Sequence, residues 1–223
     1  MTRNAMTTKL LMTTYVTLTA LLMSGCAGKV RYPNYYALAV APTKQPASSG
    51  ARQSATLAVR RFDTPAYLRQ GRIVYRPTPE EVGFYDYHRW ASDPGVVVTT
   101  GVIDSLRSAN LFSVVEPYAG QEHPDYLLSG RLERLDEVDY KSGVQVEVKL
   151  SAQLVNMRTA APVWAGSVTK TSEVGTRDVN SVVVAMSQTV QGSIDQLVAD
   201  LEKQLPDKAR AAANSGTATA EIK

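Results

Sequence analysis

The chain has one cysteine and two histidines, and each shortage removes a class of protein. A lone cysteine supports neither a disulfide framework nor a multi-cysteine zinc site. His88 lies in an aromatic run and His123 in Glu122-His123-Pro124, a turn. A nucleophile triad would need one of them to meet a serine and a carboxylate in space. The motifs G-x-x-x-x-G-K-[ST], G-x-G-x-x-G, H-E-x-x-H and G-x-S-x-G do not occur, which leaves no sequence signal for phosphate loops, zinc proteases or hydrolase elbows. Charge of one sign is also lacking. The balance is 24 Lys+Arg against 21 Asp+Glu, and the basic residues form no run or stripe, so nucleic acid is not an expected partner. Asp136, Glu137 and Asp139 lack the glycine and closing glutamate of a calcium loop and read as a solvated strand end. No cofactor, no metal and no catalytic residue is expected.

A long apolar run is missing as well. Residues 10–23 are uncharged and mostly apolar, but fourteen residues span about 21 Å as helix, short of a ~30 Å hydrocarbon core. Arg3 and Lys9 precede them without an acid, and small residues follow at Ser24 and Gly25. This pattern is that of a secretory signal. The exit, Met23-Ser24-Gly25-Cys26-Ala27-Gly28, resembles a bacterial lipobox, with Met23 where leucine is usual. The resemblance implies cleavage between Gly25 and Cys26 and a lipid, with palmitate-type acyl chains, on the Cys26 sulfur. Two or three such chains anchor a protein essentially permanently, at roughly 0.8 kcal/mol per buried CH₂. Ala27 in place of aspartate implies sorting to the outer membrane, the body facing the periplasm. The alternative readings of Cys26 are a small buried core residue and an incidental cysteine after an ordinary signal.

What remains is enough for one core: 223 residues, 44% apolar and 20% charged. The expected division is a signal over 1–25, one domain over 26–206 and a disordered tail over 207–223. Residues 41–55 are small, polar and broken by Pro and Gly, hence a loop. Short strands are expected over 35–40, 55–62, 72–76 and 113–115. Val98, Val102, Leu106 and Ala109 recur at helical spacing behind Asp93-Pro94, a cap followed by proline at the first helical position. Apolar residues alternate without a break from Val144 to Leu154, the pattern of a strand with one packed face. Tyr126, Leu128, Gly130 and Leu132 alternate too, but Leu135 and Val138 break phase, which predicts a bulge near Glu133-Arg134. A turn over 156–161 leads to a return strand over 162–173. Val179, Val183, Met186, Val190, Ile194, Leu197, Leu201 and Leu205 then form one apolar helical stripe, expected to lie on the sheet; a coiled-coil seam with another protein is the alternative. The fold class is α+β: a mostly antiparallel sheet of six or seven strands covered on one face by two helices.

Six of the 16 aromatic residues fall between 67 and 90, interleaved with arginines. Aromatic-plus-arginine surfaces are enriched at protein interfaces, so Tyr67, Arg76, Tyr85, Tyr87, Arg89 and Trp90 are candidate partner contacts. The alternative is that the rings pack the core.

Several segments follow in a set order: Pro65-Ala-Tyr-Leu68, Arg72-Ile-Val-Tyr-Arg76, Tyr87-His-Arg-Trp90-Ala, a helix ending Leu106 to Leu111-Phe112, Asp125-Tyr-Leu-Leu-Ser-Gly130 and Val163-Trp164. In this the chain resembles the ABC-type transport auxiliary lipoproteins, the PqiC-like group, over about residues 35–203. The tyrosine-heavy 83–90 stretch and the extension beyond Leu205 depart from that pattern. The resemblance implies a non-catalytic accessory of an MCE-domain protein and an ABC-type permease, which move lipid between the two envelope membranes. Self-association into a ring is compatible with such a collar, though no residue points to it. Competing readings are an envelope-assembly or secretion-accessory lipoprotein, a periplasmic hydrolase built on a histidine, and a direct lipid carrier with an apolar cavity between helix and sheet.

Overall fold

The structure, a computed structural model, describes residues 12, 15, 31–41, 53–120, 123–141 and 143–217. The chain divides into two units, Met1–Tyr32 and Pro33–Lys223. In the first, Met12 and Tyr15 are helical and exposed. Gly25 and Cys26 lie outside the described residues.

The second unit runs β1 (Asn34–Tyr36), β2 (Gln53–Val59), β3 (Arg72–Arg76), β4 (Gly83–Trp90), α1 (Pro94–Ala109), β5 (Phe112–Pro117), β6 (Tyr126–Lys141), β7 (Gly143–Asn156), β8 (Pro162–Glu173) and α2 (Val179–Thr217). The strands make one eight-stranded sheet, one strand more than the sequence suggests. The added strand is β4, whose aromatic and polar residues do not alternate cleanly in the sequence.

β6 is the spine. Along one side it pairs antiparallel with β7 from Tyr126↔Asn156 to Lys141↔Gly143, and β7 pairs antiparallel with β8. These long pairings make the sheet mostly antiparallel. The other side of β6 is shared. Its first residues pair with β2, parallel, at Leu57↔Tyr126, and its last with β3, parallel, at Val74↔Asp136. The sheet therefore forks into a β2–β5 branch and a β3–β4–β1 branch. The register shift between Leu132 and Arg134 is the predicted bulge, and it lies between the two branches.

Local chemistry sets the helices. Asp93 caps α1, its Oδ1 accepting from the Gly95 and Val96 amides, with Pro94 in the first turn; Asn110 closes the helix in the left-handed region. Asp178 accepts from the Ser181 amide at the start of α2, and its carboxyl is lowered to about 2 by hydrogen bonds from Ser181 and Thr176. The α2 stripe is buried from Val183 to Leu205. It packs with Val98, Val102 and Leu106 of α1 against Val146, Val148, Leu150 and Leu154 of β7. Each such side chain contributes about 1.5–3 kcal/mol when buried. The coiled-coil alternative is thus replaced by an internal helix-on-sheet layer. α2 also extends past Pro206 into the segment where the sequence suggests a tail. After β1 the chain is no longer strand. Residues 37–41 form a strap on the helices, with Leu38 buried and the Ala39 amide bonded to Ser187 Oγ at 3.1 Å.

Candidate functional site

The β3–β4–β1 branch gathers most of the aromatic-arginine stretch, and the six candidates divide by face. β6 reaches this branch just after its bulge, where Leu135-Asp136-Glu137-Val138 sends one apolar and one acidic residue to each face. All four are buried, so the acids are not the solvated strand end that composition suggests. The signal was in the sequence: apolar residues on both faces of one strand segment mean that both faces are covered.

On one face Arg76 Nε lies 2.5 Å from Asp136 Oδ2, with both side chains buried. Arg76 Nη1 donates to the Pro79 carbonyl at 3.1 Å, its guanidinium sits 5.7 Å from the Tyr67 ring centre, and Tyr67 Oη donates to the Glu133 carbonyl at 3.1 Å. Asp136 Oδ1 accepts no hydrogen bond among the described residues. Burial raises the Asp136 carboxyl, with Arg76 pulling against it. Burial works against the Arg76 charge, but Asp136 outweighs it and the guanidinium is held charged. This group clamps β3 to β6 and the preceding loop.

On the other face Tyr85 Oη donates to Glu137 Oε2 at 2.8 Å. Burial raises the Glu137 carboxyl, the Tyr85 hydrogen bond opposes that, and Asp139 adds to it. Burial and the same carboxylate push the Tyr85 hydroxyl far above its ordinary range. Tyr75 and His88 pack edge-on against Tyr85, and His88 Nδ1 lies 2.9 Å from Tyr36 Oη. Trp90 is in the core. Tyr67, Arg76, Tyr85 and Trp90 therefore hold the body together, while Tyr87 is exposed and Arg89 partly so.

Strand register defines the outer face of the branch. Tyr35 pairs with Arg89, and Arg89 with Arg72, so the three side chains form a row across β1, β4 and β3, with Tyr87 beside it two residues from Arg89. Tyr35 is 64% and Tyr87 41% exposed. Sequence reasoning picked Tyr87 and Arg89 by composition but missed Tyr35 and Arg72, whose place in the row follows only from strand order.

Chemically the branch offers little for catalysis. The described hydrogen bond of His88 goes to a tyrosine, and His123 is exposed. Among the described residues no three metal-ligating side chains gather, and no helix is long and apolar enough to cross a membrane. Open grooves lie on the described surface, and two of them flank the helices. One, of about 610 Å³, separates the strap from α2 at Ala39, Val184 and Ser187; the other, of about 380 Å³, lies beside α1 at Val96 and Ile103.

A forked sheet under two helices defines a small α+β domain. The chain belongs to the family of ABC-type transport auxiliary lipoprotein components, whose family model matches residues 36–200. Among solved structures it is similar to protein XCC0632 from Xanthomonas campestris, of family DUF330, at 20% identity and a TM-score of 0.71, covering 79% of this chain and 99% of that one. It is also similar to an uncharacterized protein, at 13% identity and a TM-score of 0.60, over 77% of this chain and 99% of that one. A third is the hypothetical protein CT253 from Chlamydia trachomatis, at 8% identity and a TM-score of 0.50, over 69% and 98%. At these identities the likeness is one of fold. No curated protein matches the chain in sequence.

Proposed function

We propose that the protein is a lipid-anchored, non-catalytic accessory of an MCE/ABC-type transport system that moves lipid between the inner and outer membranes. The signal, residues 1–25, is removed, acylated Cys26 pins the chain to the outer membrane, and the body works in the periplasm. One observation carries this reading: the family match covers the packed body, from β1 through most of the buried part of α2. Three others support it. Cys26 is the only cysteine and sits in a lipobox-like context. The conspicuous polar clusters are internal clamps. The stretch between the helices and the sheet is filled by apolar side chains, which favours an accessory over a carrier with a lipid cavity at that place.

The test is capture of the full-length protein from crosslinked envelope membranes, with its partners identified by mass spectrometry. An MCE-domain protein and its permease are expected. Enrichment of secretion-pore or outer-membrane assembly components instead would overturn the transport reading in favour of the envelope-assembly alternative.

A further inference from the structure

We propose that the outer face of the β3–β4–β1 branch, the row Tyr35–Arg89–Arg72 flanked by Tyr87, rests on the headgroup region of an anionic phospholipid bilayer, the same bilayer that holds the acylated Cys26. The proposal rests on the lipid-anchor reading above and adds to it an orientation and a contact surface.

Three observations combine. The first is reach. Nine residue steps separate Cys26 from Tyr35, and a fully extended chain covers at most about 3.3–3.6 Å per step, so the leash is no longer than about 32 Å. A body of this size has a radius of gyration of roughly 15 Å and a width of about 40 Å. The leash is thus shorter than the body is wide, so β1, the first strand after it, cannot stand off from the bilayer by more than that length. The second is side-chain chemistry. Tyrosine presents an apolar ring and a polar tip, which suits the boundary between acyl chains and water. Tyr35, the most exposed large hydrophobic side chain described in the second unit, and Tyr87, also exposed, fall on this face. The third is charge. The row sets two guanidiniums, those of Arg89 and Arg72, beside the rings. Arg72 keeps 36% of its side chain exposed and meets one acid, the mostly exposed Asp86, at 3.8 Å. Lipid phosphates complement such a pair. The opposite face of the same strands carries Tyr36, His88 and Trp90 and turns inward at Trp90; on the row's own face the next residues of β3, Val74 and Arg76, are buried, so the wet part of the branch is the row itself.

The lone cysteine makes the test clean. In the acylated protein the Cys26 sulfur is blocked, so Tyr87→Cys supplies the one thiol for an environment-sensitive fluorophore. Thr169→Cys, exposed on β8, supplies the control. Both full-length proteins are reconstituted in phosphatidylethanolamine/phosphatidylglycerol vesicles carrying nitroxide headgroup lipids. Position 87 is expected to shift to the blue and to be quenched at least threefold more than position 169. Arg72→Glu/Arg89→Glu in the labelled chain is expected to abolish the difference. Equal wetness and equal quenching at both positions overturns the proposal. So does shielding of position 87 that arises only when a protein partner is added, since the face then belongs to that partner. An intact mass showing bare Cys26 refutes the anchor reading separately. The same measurement then runs in a Cys26→Ser background, where quenching of position 87 on anionic vesicles still supports the face and its absence still overturns it.

Discussion

At the residue scale the two acids of β6 carry the largest consequences, because each is a charge out of water. Asp136 and Arg76 form a pair with essentially no solvent access. Removing one partner of such a pair strands the other and costs about 3–5 kcal/mol, whereas replacing both with apolar residues is often neutral. Arg76→Met is therefore expected to lower the unfolding free energy by about that amount in urea titrations, and Arg76→Met/Asp136→Leu to recover most of it. An equal loss in both variants would show that the arginine acts through packing and not through the pair. Glu137 makes a pH prediction. Its folded carboxyl is raised above the ordinary value, first by burial, so the folded chain keeps a proton that the unfolded chain releases. Stability from this group falls as pH rises from about 4.5 through the folded value. Asp136, raised by burial as well, has the same sign. Asp178 has the opposite one: its carboxyl is lowered, so its contribution is present above the ordinary value and is lost as pH falls toward about 2. Glu137→Gln is expected to flatten the decline that begins above about pH 4.5 in chemical denaturation series and leave the acid limb below it in place. An unchanged slope would assign the decline to Asp136.

At the element scale most of the fold was legible because periodicity was clean where one face is packed. The α1 boundaries, the β6 bulge, β7, β8 and the α2 stripe all follow from spacing and caps. Legibility failed where a segment is covered on both faces or where pairing is parallel and distant. β4 is such a case: it pairs with β1 and β3, and its register slips against β3 between Arg72 and Val74. The acidic pair is another: Leu135 and Val138 signal that both faces are covered, but nothing local says that Arg76 and Tyr85 meet the acids there. The candidate surface suffered most, because composition groups Tyr67, Arg76, Tyr85 and Trp90 with Tyr87 and Arg89, and only strand order separates the clamps from the outer row. Glycine at 130 shows what strand pairing demands of a single position. A Cβ there would fall 2.4 Å from two carbons of the buried Phe62 ring. Phe62 lies in the loop that bridges β2 to the middle of β6 through Asp63↔Arg131. Gly130→Ala is expected to cost about 1–3 kcal/mol by overpacking, read as a fall in the urea midpoint at constant m. A smaller effect would mean that the Phe62 loop moves aside freely and does not pin the fork.

At the scale of the whole molecule the proposed anchor gives the sulfur and the body separate jobs, and this separation is itself testable. Among the described residues the second unit, which begins at Pro33, has a core of its own that runs from Leu38 to Leu205. The body should thus fold the same with or without the acyl chains. What the anchor changes is encounter. A domain held on a short leash meets a membrane-spanning partner at an effective concentration that can raise apparent affinity by 10²–10⁴-fold without any new contact. A free domain must find the same partner by diffusion through the periplasm. Cys26→Ser is accordingly expected to leave the thermal midpoint of the body within about 1 °C, to move the protein into the osmotic-shock fluid, and to cut recovery of its transport partner by about 100-fold in matched pull-downs. Wild-type protein already present in that fluid, with an unmodified sulfur by intact mass, would remove the anchor and the leash together. Unchanged recovery of the partner by the released variant would instead place the affinity in the body alone and make the acyl chains a matter of address.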